Sequence, residues 1–185
     1  MAPTLDFLER TLALKPGDRV FDQCCGVGSL ANPLAERGFD VIGIDQAARY
    51  IDRARSGPAR FEVADAFDYR CEPRCDAALN WWTSFGYGDD DANLRMLHRA
   101  HDSLRPGGRF AVDTMNLPGV LRGFQRDVDL RLGELILLRR TELDLAGGRM
   151  LKRWTVIADG RKTERRSSVR LMTPHRVVEL LEMAG

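Results

Sequence analysis

The sequence contains no apolar run that approaches the roughly 20 residues a helix needs to cross a bilayer. Its first residues, Met-Ala-Pro-Thr-Leu-Asp, lack the basic and apolar segments of a secretory signal peptide. Cysteine is also scarce, with 4 among 185 residues, which is too few for a disulfide-stapled scaffold of this length. These absences predict reduced thiols, no membrane segment and a cytoplasmic location.

Histidine and net charge are scarce as well. The 3 histidines fall on predicted helices, where a surface role is more common than general-base catalysis, so none is taken as catalytic. Cys71 and Cys75 lack a second Cys/His pair in a compact loop, so no metal site is predicted. A net charge of +1 gives the whole chain no general attraction to nucleic acid.

Short apolar segments that end in a polar residue alternate with helix-like segments up to residue 113. Such alternation favours a parallel sheet with right-handed crossovers. We therefore predict an α/β fold with a doubly wound, mostly parallel Rossmann-like sheet, and a ligand at the carboxyl ends of its strands. The predicted strands end at Asp22, Asp45, Asp65, Asn80 and Asp113.

A loop of small residues joins the first predicted strand to a helix. Asp22 ends the strand, and Gly26 and Gly28 follow in the loop. Glycine permits positive φ and lets the backbone approach a ligand. The run Gly26-Val27-Gly28-Ser29-Leu30-Ala31, with Asp45 about 20 residues further on, also fits a dinucleotide site. The charge of Asp22 favours the cationic amino group of an amino-acid-like ligand, whereas it would repel a pyrophosphate.

This loop resembles the first motif of the class I S-adenosylmethionine-dependent methyltransferases, an acid followed by small residues in the form D-x-G-x-G-x-G. Asp22, Cys24, Gly26 and Gly28 match it, and Cys24 stands where the family more often has glycine or alanine. Leu104-Arg105-Pro106-Gly107-Gly108 is similar to another family turn. The resemblance implies S-adenosylmethionine as the cofactor and S-adenosylhomocysteine as its product.

The same resemblance implies roles for the residues that follow later strands. Asp45, with Gln46 beside it, would accept hydrogen bonds from the ribose hydroxyls of the adenosine. Asp65 would take the exocyclic amine of the adenine, and Ala66 lies in the adenine-binding segment. Asn80 ends the fourth strand and completes the expected cofactor set.

Four aromatic rings occur within the eight residues from Asn80 to Tyr87. All four cannot face the core from a loop interleaved with Thr, Ser and Gly, so we interpret part of this segment as the wall of an acceptor pocket. Aromatic faces there would attract a sulfonium or ammonium group. Tyr87 is the candidate catalytic residue, as a polar group near the acceptor. The predicted substrate contacts are Trp82, Ser84, Phe85, Tyr87 and Asn116.

The pattern changes after Pro118. Segments 127–138, 141–145, 150–158 and 165–171 predict an antiparallel meander inserted after the fifth strand, and Thr173-Pro174 opens a last helix. We predict three parts: a cofactor-binding core over 1–118, a substrate cap over 119–172, and a C-terminal helix of the core over 173–185. The family's terminal β-hairpin is missing, so the uncovered sheet edge predicts a homodimer.

The predicted function is transfer of a methyl group from S-adenosylmethionine to an N, O or C atom of a small-molecule acceptor. Basic residues in the meander leave RNA as an alternative acceptor, although nothing resembling an RNA-reading module accompanies them, so nucleic acid is the less favoured partner. A catalytically inactive cofactor-binding module is a further alternative. A nicotinamide dehydrogenase is the least favoured, because it leaves Asp22 and the aromatic segment unexplained.

Overall fold

The computed structural model describes residues 1–185. The helices are Ala2–Leu12 (α1), Ala31–Glu36 (α2), Ala48–Ala54 (α3), Asp90–Asp102 (α4), Leu117–Arg122 (α5) and Pro174–Ala184 (α6). The strands are Arg19–Gln23 (β1), Asp40–Asp45 (β2), Arg60–Val63 (β3), Cys75–Asn80 (β4), Leu104–Val112 (β5), Asp127–Leu132 (β6), Leu135–Asp144 (β7), Arg149–Ala158 (β8) and Arg161–Arg170 (β9). None of the helices combines the length and the apolar character that a bilayer crossing requires.

Five parallel strands form the first sheet in the order β3-β2-β1-β4-β5. The chain enters at the centre, moves outward to β3, and then crosses to β4 and β5, which makes the sheet doubly wound. The central strands are buried on both faces, as parallel strands covered by helices require. Helix α1 buries Leu5, Leu8 and Leu12, three and four residues apart, in the same core. The predicted fold class is confirmed.

Strand β5 includes the segment that resembles a family turn. A turn at Arg105-Pro106-Gly107-Gly108 would place the start of the strand at Arg109, but the strand begins at Leu104 and these four residues lie inside it as a bulge. Cys75 pairs with Leu104 and Ala77 pairs with Arg109, so the four intervening residues of β5 face a single residue of β4. Proline and glycine are tolerated because a bulge removes them from the regular hydrogen-bond ladder.

The second sheet is an antiparallel meander in the order β6-β7-β8-β9. Its strands differ from the predicted segments: β6 ends at Leu132, and β7 runs without interruption from Leu135 to Asp144. The two-residue connection Gly133-Glu134 makes the hairpin, with Gly133 at φ +63°. Helix α5 was not predicted, because its Leu117-Pro118-Gly119 start is a poor helix signal.

The chain separates into two compact units. The first comprises Met1–Phe85, Asp90–Thr114 and Leu180–Gly185, and thus holds the parallel sheet. The second comprises Gly86–Asp89 and Met115–Glu179, and holds the meander. The predicted domain bounds at 118 and 172 stay predictions.

Candidate active site

The carboxyl ends of the three central strands carry the polar side chains that the sequence singles out. Asp22 lies near the end of β1, Asp45 ends β2, and Asn80 ends β4. Because β2, β1 and β4 are adjacent and parallel, these ends meet at one edge of the sheet. This is the edge at which ligands of open α/β sheets bind.

Hydrogen bonds hold the small-residue loop after β1 against the end of β2. The backbone N–H of Gly26 donates to Oδ2 of Asp45 at 3.0 Å, and the N–H of Ala47 donates to Oδ1 of the same carboxylate at 2.8 Å. The N–H of Cys25 donates to the carbonyl of Ile44 at 2.8 Å. Asp45 therefore orders the loop in addition to lying at the sheet edge.

Gly28 occupies a position that other residues would not fit. Its φ is +76°, and a Cβ built there would lie 2.8 Å from Cζ of Phe61 and 2.9 Å from Nδ2 of Asn32. Cys24, the departure from the family motif, also has positive φ, at +66°, a conformation that costs a non-glycine residue free energy. The loop therefore adopts the tight turn expected of the motif despite the bulkier residue.

Three carboxylates surround the loop without a neutralising cation. Asp22 is only 3% exposed and forms no side-chain hydrogen bond or ion pair. Burial, together with the charge of Asp45, raises the pKa of Asp22 to about 7. Burial and the charges of Asp45, Asp22 and Asp65 raise the pKa of the Cys24 thiol to about 12, which places all three acids near it. The negative charges of these acids therefore favour binding of a cation at this site.

The sequence did not reveal a buried polar network behind these acids. Gln23 is fully buried; its Nε2 donates to the carbonyl of Met96 at 3.1 Å, and its Oε1 accepts from Nδ2 of Asn80 at 3.0 Å. Oδ1 of Asn80 and the hydroxyl of Thr114 are buried without a partner. Buried polar atoms of this kind are costly unless something pairs with them. The sequence feature that could have revealed this network is Gln23, the glutamine directly after Asp22.

The predicted adenine and ribose contacts lie closer to the surface. Asp65 and Gln46 are exposed, and Ala66 is 7% exposed. Oδ1 of Asp65 accepts from the N–H of Phe67 at 2.9 Å, so this acid forms an ordinary Asx turn. Their roles in binding stay predictions.

The aromatic segment divides between the surface and the interior. Trp82 is 58% exposed, whereas Phe85 is fully buried and has no exposed face in this structure. Trp82 and Thr83 both have positive φ, near +60°, a conformation that is rare for non-glycine residues and costs free energy. The hydroxyl of Ser84 donates to the carbonyl of Trp81 at 3.2 Å. Strained backbone directly after a sheet strand is common at functional sites.

Tyr87 and Asn116 belong to the second unit. Tyr87 is 53% exposed, and its carbonyl accepts from Nη2 of Arg149 at 3.2 Å. Nη1 of Arg149 donates to the carbonyl of Gly88 at 3.2 Å, and Nε donates to the hydroxyl of Ser168 at 2.6 Å. Asn116 is exposed and precedes α5. A catalytic role for Tyr87 stays a prediction.

Residues 20–108 match a known family, described as a methyltransferase domain. A 23S rRNA (uracil(1939)-C(5))-methyltransferase from Thiobacillus denitrificans is 39% identical over 66 residues, which cover 32% of this chain and 15% of that protein. A 2-phytyl-1,4-naphtoquinone methyltransferase from Synechococcus elongatus is 37% identical over 134 residues, covering 62% of this chain and 54% of that protein. The chain thus spans about half or less of the length of these relatives.

Solved structures share the fold over nearly the whole chain. An S-adenosylmethionine-dependent methyltransferase from Clostridium acetobutylicum superposes with a TM-score of 0.84 at 16% identity, covering 97% of this chain and 78% of that one. A sugar N-methyltransferase from a Streptoalloteichus species gives 0.80 at 18% identity, covering 98% and 77%. These comparisons identify residues 20–108 as a methyltransferase domain and show that the chain shares the fold of S-adenosylmethionine-dependent methyltransferases.

Proposed function

We propose that this chain binds S-adenosylmethionine at the carboxyl edge of its parallel sheet and transfers the methyl group to a small-molecule acceptor. The observation that carries the proposal is Asp22, a buried carboxylate with no cation beside it, next to a glycine loop. S-adenosylmethionine brings an ammonium and a sulfonium, both positive, whereas a dinucleotide brings a negative pyrophosphate. Three neighbouring acids therefore favour the former.

The side chains present fit that ligand. Asp22 would receive the ammonium of the amino-acid end, which removes the cost of burying an unpaired charge. Each oxygen of Asp45 accepts one backbone N–H and retains a second lone pair, so the carboxylate can still accept two ribose hydroxyls. Oδ1 of Asn80 offers one more buried acceptor. Asp65, Ala66 and Gln46 would contact the adenine and ribose on the side nearer the protein surface.

When bound, S-adenosylmethionine supplies a methyl carbon that a nucleophile can attack. A new bond forms from the acceptor atom to that carbon as the carbon–sulfur bond breaks, and the sulfur keeps the electron pair. The protein's residues need to align the two partners and exclude water. In our proposal Asp22 and Asp45 fix the donor, and Trp82 and Ser84, on the segment that follows β4, contact the acceptor.

A small molecule is the acceptor we favour because fold relatives over 97–98% of this chain include a sugar N-methyltransferase. RNA is the second candidate, favoured by the rRNA methyltransferase match and by the many arginines of β8 and β9. That match covers only 32% of the chain, so it supports a shared domain more than it supports RNA as the acceptor.

The proposal is tested by incubating the chain with methyl-labelled S-adenosylmethionine and separate panels of amine, hydroxyl and carbon-acid small molecules and of RNA. We expect label in a small molecule, stoichiometric S-adenosylhomocysteine, and loss of turnover in Asp22→Asn. Asp52→Asn is the matched control, because Asp52 is exposed on α3. Label only in RNA would replace the small-molecule acceptor, and no turnover with intact cofactor binding would favour an inactive module.

We also propose that two copies pair along an edge of the parallel sheet. Strands β3 and β5 are the outermost strands and have no further strand beside them. Unpaired strand edges invite pairing with another chain. Light scattering at increasing protein concentration should give a dimer mass, and a constant monomer mass would contradict this partner.

A further inference from the structure

The register of the meander places three arginines side by side. Arg140 on β7 pairs with Arg153 on β8, which in turn pairs with Arg166 on β9. Directly paired residues point to the same face of a sheet, with Cβ atoms about 4.5–5.5 Å apart. Like charges at this separation destabilise a sheet. The row is therefore an arrangement that an anion would stabilise.

Only the first of these arginines has its charge neutralised. Nη1 of Arg140 lies 2.6 Å from Oδ1 of Asp129, and its Nε lies 3.1 Å from Oδ1 of Asp127. No ion pair or hydrogen bond joins Arg153 or Arg166 to an acid, and both side chains are exposed. Two adjacent guanidinium groups thus remain uncompensated.

The nearest acid on β9 is already engaged. The carboxylate of Glu164 hydrogen-bonds Nζ of Lys162 at 2.7 Å. Lys162, and more weakly Arg153 and Arg166, lower the pKa of Glu164. The two arginines therefore act on Glu164 through their charge, and neither forms an ion pair with it. The counter-charge for Arg153 and Arg166 must therefore come from solution or from a ligand.

The arginine row borders a cavity of about 410 Å³. This volume falls within the range of small-molecule pockets. A guanidinium presents a planar fork of N–H donors that matches a carboxylate or a phosphate, and serine hydroxyls add neutral donors. The lining includes Arg140, Glu142, Leu151, Arg153, Arg166 and Ser168.

On the same face, acidic residues flank the arginine row along the strands before the next basic residues, Arg149 and Lys162, are reached. Two residues along β9 from Arg166 stands Glu164, and two residues along β7 from Arg140 stands Glu142. A nucleic-acid strand carries a charge at every nucleotide and would meet these acids on either side of the row. A ligand with one anionic group can place that group between Arg153 and Arg166 and needs no second anionic contact with this face.

We propose that Arg153 and Arg166, with the cavity beside them, bind the phosphate or carboxylate group of a small molecule. The site lies entirely within the second unit, and its argument does not depend on the methyl-transfer proposal. It assigns a function to the basic meander that neither S-adenosylmethionine binding nor the parallel sheet explains.

The test is calorimetry of the 185-residue chain with inorganic phosphate, and separately with succinate, at low ionic strength. We expect saturable binding that Arg153→Gln or Arg166→Gln each weakens by about ten-fold. Arg165→Gln is the matched control: it removes the same charge from the neighbouring residue of β9, which points to the opposite face, and should change affinity by less than about two-fold. Preference for one probe would distinguish a phosphate from a carboxylate ligand.

A second readout is the Nε–Hε NMR signals of the arginines, of which those of Arg153 and Arg166 should shift with either probe. Equal weakening by Arg165→Gln would show diffuse attraction and overturn the site. Absence of binding up to about 10 mM would also overturn it. Salt-sensitive binding of a uridine oligonucleotide, weakened by all three substitutions, would instead identify an RNA surface. Binding of S-adenosylhomocysteine should be unaltered in all three variants, which separates this test from that of the proposed function.

Discussion

The carboxylate of Asp45 accepts a hydrogen bond from the backbone N–H of Gly26 at 3.0 Å, so the acid that ends β2 also fixes the glycine loop that follows β1. The contact spans 19 positions of sequence. It preorganises the loop before any ligand arrives, and preorganisation lowers the entropy cost of binding. Loop order and ligand affinity are therefore expected to depend on the same side chain.

The raised pKa of Asp22 predicts that ligand affinity depends on pH. In the free protein the carboxyl titrates at about 7, and only its ionised form should attract an ammonium. The association constant for S-adenosylhomocysteine should therefore fall by up to about ten-fold per pH unit below 7. Calorimetry between about pH 6 and about pH 8.5 measures this dependence. In Asp22→Asn, affinity should be low and nearly independent of pH; an unchanged pH dependence there would contradict the assignment.

The same group makes a prediction about stability. Because the folded-state pKa of Asp22 lies above its ordinary value of 3.8, its stabilising contribution is complete below that value and is lost as pH rises through about 7. At about pH 8.5, Asp22→Asn should thus raise the free energy of unfolding of the free protein, by on the order of 2–4 kcal/mol. Urea unfolding measures this, with exposed Asp52→Asn as the control expected to change little. Destabilisation by Asp22→Asn would refute the electrostatic account.

Gly28 and Gly17 form a matched pair for testing the loop. Both have positive φ, but a Cβ at Gly28 would lie 2.8 Å from Phe61, whereas nothing lies within 4 Å of one at Gly17. Gly17→Ala should therefore cost only the backbone term, about 1 kcal/mol. Gly28→Ala should cost about 2–4 kcal/mol and also weaken S-adenosylhomocysteine. Equal losses of unfolding free energy would show that the close approach at Gly28 is unimportant.

Arg149 should control the order of the segment that carries Tyr87. Its guanidinium donates to the carbonyls of Tyr87 and Gly88, so Arg149→Met keeps the apolar stem and removes those donors. Hydrogen exchange in residues 86–89 should become about ten-fold faster. Arg161→Met, at the exposed start of β9, is the control and should leave this segment unchanged. Unaltered exchange in the Arg149 variant would mean that other contacts hold the segment.

Much of the fold was predictable because it depends on local signals. Strands that end in a polar residue, followed by a turn and a helix, imply a parallel sheet, and the acids at Asp22 and Asp45 fall at the predicted edge. The start of β5 was wrong because Pro-Gly-Gly signals a turn, while pairing with β4 keeps it as a bulge within the strand. Tertiary pairing outweighs the local preference there.

The sequence predicted the acidic residues of the site better than it predicted the other side chains there. The hydrogen bond between Gln23 and Asn80 joins residues 57 positions apart, and no spacing in the sequence predicts it. The aromatic segment has no regular period, so the sequence could not tell that Phe85 is buried while Trp82 is exposed. Backbone strain at Trp82 and Thr83 likewise arises from the surrounding structure and leaves no residue-type signal.

Titration calorimetry with S-adenosylhomocysteine, beside NAD, tests the central claim most directly. The chain should bind S-adenosylhomocysteine with a dissociation constant of about micromolar order and should not bind NAD. Asp45→Ala removes the expected ribose acceptor and the Gly26 contact, so it should weaken binding at least about thirty-fold, while Asp52→Asn should not change it. Binding of NAD alone, or S-adenosylhomocysteine binding that is indifferent to Asp45→Ala, would contradict a methyl-donor site at this sheet edge.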